Sequence, residues 1–490
     1  MGTTDEIIQK FAETGYQIHP DAVKMIEQYN GFSKSMVQDI LASLDESVLV
    51  IAPEHIRNVQ QGLQLGIIAP DKQQIITTAP EVRILSDVTD DSTCIGNYDE
   101  FVKYFRDRYA RSGEIIRKRV SARPIEIVNK GTQINGREDI TIIGMISSTR
   151  VTPNGHRLVE IEDPTGTMSV LFLKDKDAFE KSQQIILDEV IGITGSLTND
   201  GGLLIANNII WPEAPAKNNK HQKTGEPTYA VLISDVHIGS NMFLEETWSR
   251  FISWINGDVG NDQQQTLAER VKYLVIAGDL VDGIGIYPNQ ERELAILDIY
   301  EQYRLAAEHL AGVPSRIRVI IAPGNHDAVR QAEPQPALPK QITSMFKSSN
   351  TTFVGNPSLI ELNGTRILVY HGRALDDFVA TLPGLSYKAP EVAMVEMLKR
   401  RHLSPIYGGR VSIAPEKRDH FVIDIVPDVL HCGHVHTMGL SKYRGVTLVN
   451  SGTWQAQTEF QKRMNLEPVP GCAPIVNLNT LETSVLKFYT

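Results

Sequence analysis

Five short motifs hold most of the polar chemistry in the second half of this 490-residue chain. They are Ser234-Asp235-Val236-His237, Gly278-Asp279-Leu280-Val281-Asp282, Gly324-Asn325-His326-Asp327, Tyr370-His371-Gly372 and Gly433-His434-Val435-His436. Singly each is weak, because a lone Asp-x-His is usually a turn and an isolated core histidine is usually hydrogen-bonded rather than a ligand. Together they offer eight positions able to ligate a metal or move a proton: Asp235, His237, Asp279, Asn325, His326, His371, His434 and His436. Carboxylate, amide and imidazole donors without thiolate suit two divalent ions, Mn2+ first, with Fe or Zn as alternatives and calcium disfavoured. Paired ions about 3.5–4 Å apart clamp a phosphate, generate hydroxide near neutral pH and stabilise charge on attacking and leaving oxygens. Cys432 stands beside the last motif, but its place just before Gly433 suggests strand packing.

The elements that must position these residues are short apolar runs. Residues 230–233, 273–276, 318–321, 366–369, 429–431 and 447–449 read as buried strands, and five of them end where a motif begins. Helical stretches near 244–255, 290–312 and 389–401 separate some of them, so this half is α/β. An open α/β sheet presents its binding residues at the carboxyl ends of its strands, which is where the motifs fall.

Upstream, residues 138–212 look all-β. Apolar runs at 140–146, 158–161, 168–173, 190–197 and 203–210 are separated by a Pro153-Asn154-Gly155 turn and an Asp200-Gly201 turn. A short helix at 175–182 follows the third run. Five strands with a helix between the third and fourth is the order of an OB-fold barrel. Residues 213–227 are rich in Pro and Lys and lack apolar periodicity, so they read as a linker.

Residues 1–50 read as a small helical unit. Thr4 or Asp5 caps a helix with Ile7, Ile8 and Phe11; Pro20 opens a second; a third begins near Ser33 or Ser35. From 51 to 137 the pattern weakens to a linker or partly ordered segment with a basic end. Nine basic and three acidic residues fall within 101–130, interleaved with Phe101, Tyr104, Phe105 and Tyr109. That combination reads equally as an amphipathic helix with a solvated basic face and as a nucleic-acid contact.

Length alone suggests about three domains. With 41% hydrophobic and 22% charged residues the chain is ordinary globular material, which excludes disordered, collagen-like and coiled-coil classes. The net charge of -11 argues against a whole-chain electrostatic grip on nucleic acid or an acidic membrane. Three cysteines without a CxxC pair fit a reducing compartment. No apolar run reaches the ~18 residues of a spanning helix, and the acidic N-terminus lacks a signal-peptide layout. The expected location is the cytoplasm, in association with the nucleoid, with no membrane partner.

The motif set resembles the calcineurin-like metallophosphoesterases over about residues 228–480. That resemblance implies one metal on Asp235, His237 and His436, a second on Asn325, His371 and His434, and Asp279 bridging them. It makes His326 the catalytic group that faces the leaving oxygen. Asp282 and Asp327 look like outer carboxylates, Asp327 orienting His326 or a neighbouring ligand. The fold class it implies is a multidomain α+β chain: the helical unit, the OB-fold barrel, and an α/β calcineurin-like sandwich over 228–490.

Within that superfamily, protein Ser/Thr phosphatases fit least, since Gly283 and Pro323 stand where they carry basic residues. An OB-like domain running directly into a phosphoesterase resembles the small subunits of archaeal family D DNA polymerases and the B-subunits of eukaryotic replicative polymerases. Segments 283–289, 332–339 and 399–410 strengthen the archaeal likeness. The eukaryotic B-subunits have lost their metal ligands, whereas here every ligand position is filled. The resemblance therefore implies a DNA polymerase subunit, a DNA-directed nucleotidyltransferase partner, with a 3′→5′ exonuclease acting on single-stranded or mismatched DNA 3′ ends. Its partner would be the large catalytic subunit, in a heterodimer. Candidate DNA contacts are Arg373, Lys399, Arg400, Arg401, Arg410 and the 101–130 segment. The alternatives are a catalytically silent scaffold and a phosphoesterase for another phosphodiester.

Overall fold

The computed structural model describes residues 17–27, 40, 50–53, 56, 80–130, 139–198, 202–216, 223, 225–347 and 350–489. The chain divides into two units, residues 1–77 and 78–490. In the first, Pro20 occupies the opening turn of the helix Pro20–Glu27, where its missing N–H costs nothing. Strands Gln17–Ile18 and Val50–Ile51 pair in parallel, and Ala22, Val23, Ile26, Ile40, Ile51 and Ile56 are buried. The helices expected from Thr4 or Asp5 and from Ser33 or Ser35 lie outside the described residues, as does the turn at 200–201.

In the second unit two six-stranded sheets stack face to face. One runs Thr351–Phe353, Arg318–Ala322, Val271–Ala277, Tyr229–Ile233, Cys472–Asn477, Thr483–Lys487. The other runs Met438–Tyr443, Val446–Ser451, Val429–Cys432, Thr365–Val369, Ser358–Leu362, Val82–Asp87. Their inner faces meet through Leu232, Val275, Ile320, Ile367, Val369 and Val449. These central strands are parallel and buried on both faces, which is why they read as continuous apolar runs. Helices Glu245–Asn256 and Ile299–Ala311 cover the first sheet with Trp248, Phe251, Trp254 and Tyr303. The helix Pro390–Arg400 covers the second with Ala393, Met394, Met397 and Leu398.

Five strands between Ile140 and Ile210 close a barrel, and the helix Asp177–Ser182 falls between the third and fourth, as in an OB-fold. Among the described residues no helix is long and apolar enough to cross a membrane.

Within the segment 51–137, expected to be a linker or partly ordered, residues 80–130 are built into regular structure. Val82–Asp87 forms an edge strand of the second sheet, antiparallel to Ser358–Leu362. Its residues are half exposed and partly charged, so the apolar signal of a strand is missing. The helix Tyr98–Arg117 starts with a capping box in which Asn97 and Glu100 satisfy each other's backbone N–H. Its basic face is not solvated throughout. Arg108 is fully buried, pairing with Asp419 at 2.7 Å and donating to Tyr104 and to the Asp188 carbonyl. Arg111 pairs with Asp107 and Asp424.

Barrel and sandwich are riveted by buried charge. Glu189 of the barrel sits 2.9 Å from Arg400 and accepts from the Trp211 indole at 3.1 Å. Lys399 caps the Trp211 ring at 4.3 Å, and the Glu213 amide donates to the Lys399 carbonyl. This seam accounts for three of the residues expected at DNA. Arg400 is spent on Glu189 and Glu396, Lys399 on Glu396 and Trp211, and Arg401 on the carbonyls of Ile423 and Asp424. Arg400 and Arg401 are buried and cannot present a guanidinium to a phosphate.

Candidate metal centre

Five parallel strands of the two sheets end side by side, and each hands over to one motif. Ile233 leads to Asp235, Ala277 to Asp279, Ala322 to Asn325, Val369 to His371 and Cys432 to His434. Asp235, His237, Asp279, His434 and His436 all have positive φ, between 51° and 70°. Non-glycine residues rarely adopt that conformation, and strain of this kind concentrates where side chains must converge. Two glycines make room: a Cβ on Gly324 would lie 2.2 Å from Asp279 Oδ1, and one on Gly433 2.4 Å from Asp235 Oδ2.

The side chains meet in three overlapping clusters, each with ligand atoms within 4.8 Å of one another: Asp235–His237–His436, His237–Asp279–His326 and Asp235–Asp279–His371. Asp279 lies between the two halves, its Oδ2 3.3 Å from His371 Nε2 and 3.8 Å from His237 Nε2. Asn325 Oδ1 lies 3.0 Å from His371 Nε2. His237 Nε2 and His436 Nε2 are 3.0 Å apart. His434 stands outside the three clusters; its Nε2 is bound to Asp376 Oδ2 at 3.0 Å.

Outer groups fix the rings. Asp282 Oδ1 holds His237 Nδ1 at 2.9 Å, and Gln455 donates to the same oxygen. His371 Nδ1 donates to the Ala277 carbonyl and Gln461 holds His436 Nδ1. Asp327 takes a different part from the one expected. It accepts from the Gly324 and Leu280 amides and the Tyr303 hydroxyl, shaping the two loops rather than holding the His326 ring. That ring is held instead by the Asp282 carbonyl at 2.7 Å. A carbonyl only accepts, so Nδ1 carries the proton and Nε2 is left for the cleft.

Asp235, Asp279, Asp282 and Asp327 are all buried, yet the ion pairs of Asp235 and Asp279 among the described residues are with imidazoles, not with Lys or Arg. Burial pushes imidazoles toward neutrality, but here the carboxylates win. Asp282 raises His237 to about 9, and Asp279 raises His371 to about 10. Asp279 is held well below the usual carboxylate range, burial notwithstanding, by His371 and His326. Burial and Asp279 lift Asp327 to about 6. Burial lowers His326, and burial with His237 beside it lowers His436. Buried carboxylates this close to imidazoles are groups that could hold a metal ion, and the donor set fits divalent ions.

The centre floors a cleft of about 350 Å³. Arg373 and Arg410 line it, as do Tyr287, Asp376, Tyr387, Phe460 and Gln461. Of the basic residues expected at DNA, these two arginines are the ones that reach the cleft. Asp376, Gln455 and Gln461 were not singled out by their sequence setting. Asp376 had a faint signal, an acidic residue five after His371 at a helix start; the glutamines had none.

A family profile for the B-subunits of DNA polymerases alpha and epsilon matches residues 230–438, and one described as an OB-fold nucleic acid binding domain matches 140–210. The chain is 44% identical over 492 residues to the DNA polymerase II small subunit of Archaeoglobus fulgidus, covering 99% of this chain and 98% of that one. This chain belongs to the DNA polymerase II small subunit family. The Methanocaldococcus jannaschii small subunit is likewise 44% identical, over 87% of this chain and 71% of its own length. That of Pyrococcus furiosus is 41% identical, over 80% and 64%. Membership of the small-subunit family bears out the polymerase resemblance, and the OB-fold match agrees with the closed barrel.

Proposed function

We propose that this small subunit carries a two-metal 3′→5′ exonuclease that removes unpaired nucleotides from DNA 3′ ends, and that it works in a heterodimer with a large polymerase subunit. The observation that supports this reading is the convergence of Asp235, His237, Asp279, His371 and His436 on one buried point at the base of an open cleft.

Asp235, His237 and His436 would hold one ion, Asn325, His371 and His434 the other, with Asp279 shared. When bound, the two ions would lower the pKa of a water and neutralise the phosphoryl oxygens. The chain's own part is orientation and proton delivery. Asp282 and Gln461 lock the rings of His237 and His436, so their other nitrogens face the centre. His326 presents Nε2 to the cleft; when that nitrogen has taken a second proton from solvent, the imidazolium would give it to the 3′ oxygen as the P–O3′ bond breaks. Water supplies the oxygen gained by phosphorus, and the products are a 5′-mononucleotide and a strand shortened by one with a free 3′ hydroxyl.

The test is Mn2+-dependent degradation of a 3′ single strand by the two-subunit enzyme. His326→Ala should lose about 10²–10⁴-fold in rate while still assembling with the large subunit. Undiminished degradation would remove His326 from its role, and a purified protein free of metal and of nuclease activity would mark a scaffold.

A further inference from the structure

The cleft has two unlike walls. Beside His237, His326 and His436 the lining is Ile286, Tyr287, Phe460, Met464 and Leu466. The Tyr287 ring meets the His326 ring with centroids 6.3 Å apart. Phe460 immediately precedes Gln461, whose amide holds His436. Beside His434, which Asp376 holds, the lining is polar and cationic: Arg373, Asp376, Tyr387 and Arg410.

Two side chains of the apolar wall do little for the fold. Phe460 is 58% exposed and Met464 57% exposed, one turn apart at a short helix that rims the cleft. Large apolar side chains left open together beside a charged centre mark a surface that receives something flat and apolar. An apolar wall, a phosphate-seeking centre and a cationic wall in sequence match the parts of a nucleotide strand, whose bases stack on exposed rings while its backbone meets cations.

We propose that Tyr287 and Phe460, with Met464, form a stacking subsite for one unpaired nucleobase. The base is that of the penultimate nucleotide, the one that keeps the departing 3′ oxygen, because Tyr287 packs on the histidine that faces this oxygen. The assignment rests on the exonuclease reading above, which gives His326 that position. A base inside a duplex has both faces covered by its neighbours. The subsite therefore engages a 3′ end only when its last two nucleotides are unstacked, and it sorts frayed ends from paired ones without reading sequence.

The experiment uses the two-subunit enzyme, Mn2+, and single strands carrying an abasic residue at the last or the penultimate position. With the native enzyme a penultimate abasic residue should lower kcat/KM about tenfold, and a terminal one should do less. Phe460→Ala and Tyr287→Leu should each slow the intact strand by several-fold and erase most of the abasic penalty, while Tyr287→Phe, which keeps the ring, should retain the penalty. Phe460 is mostly exposed, so its replacement leaves the fold standing. Variants that retain the full abasic penalty, or a penalty confined to the terminal position, would overturn the subsite. Absence of any 3′-end degradation by the native enzyme would overturn the exonuclease reading and the subsite with it.

Discussion

Arg108 Nε lies 2.7 Å from Asp419 Oδ2, and both side chains are sealed from solvent. The pair joins a helix from the N-terminal third of the chain to a loop 311 residues away. His402 Nε2 shares the same oxygen at 2.8 Å, and the Arg108 guanidinium also donates to the Tyr104 hydroxyl. Removing one partner of such a pair strands the other charge. Arg108→Ala should therefore cost about 3–5 kcal/mol in urea denaturation, far more than Lys118→Ala at the exposed end of the same helix. Equal stability of the two variants would show that the cluster does not hold the helix in place.

The same cluster sets a dependence on pH. Burial lowers His402 to about 4, with Arg108 adding to it, while burial is outweighed at Asp419 by His402 and Arg108, which keep it ionised. Unfolded histidine titrates near 6.5, so between about pH 6.5 and 4 the unfolded chain binds a proton that the folded one refuses. Stability from this group is present above 6.5 and is lost as pH falls toward 4. His237 and His371, with raised folded values, are protonated in both states over that window and do not contribute there. Thermal denaturation at pH 7.5 and 4.5 should show a smaller acid loss for His402→Gln than for the native chain. An identical loss would exclude His402 as the source.

Asp376 is the carboxylate that holds His434 Nε2, and Tyr387 donates to it in turn. A carboxylate behind a ligand histidine fixes its ring and raises its basicity. Asp376→Asn should weaken Mn2+ binding by about 10–100-fold in titration calorimetry, with the fold unchanged by circular dichroism. A native affinity in that variant would mean that His434 needs no support. Chelation should lower the melting temperature of the native protein, and added Mn2+ should restore it.

The buried parallel strands were legible because burial on both faces writes an unbroken apolar run, and the Asp and His motifs at their ends because polar groups stand out where such a run stops. What stayed hidden shares the opposite property. Val82–Asp87 is an edge strand with Arg83 paired to Glu361, so half its residues are polar and no run appears. Thr483–Lys487 is a second edge of the same kind. Lys399, Arg400 and Arg401 looked like a DNA patch because a basic triplet reads the same whether its partners are phosphates or Glu189 and Glu396. Only the chain's return to Glu189 distinguishes the two. Gln455 and Gln461 carry no pattern at all, since a neutral amide that holds Asp282 or His436 is recognised by contact alone.

The pairing of Val82–Asp87 with Ser358–Leu362 also sets a timetable for synthesis. Arg83 leaves the ribosome 278 residues before Glu361 does. At about 5–20 residues per second that is on the order of 14–56 s during which a ready strand has no mate. Its brevity and its charges at Arg83 and Asp87 discourage it from joining the wrong edge in the meantime. The barrel, made of strands close together in sequence, can close first. Completion of the second sheet then ties the early part of the chain to the late, so a nascent protein truncated before residue 358 has no sheet edge for that strand to join.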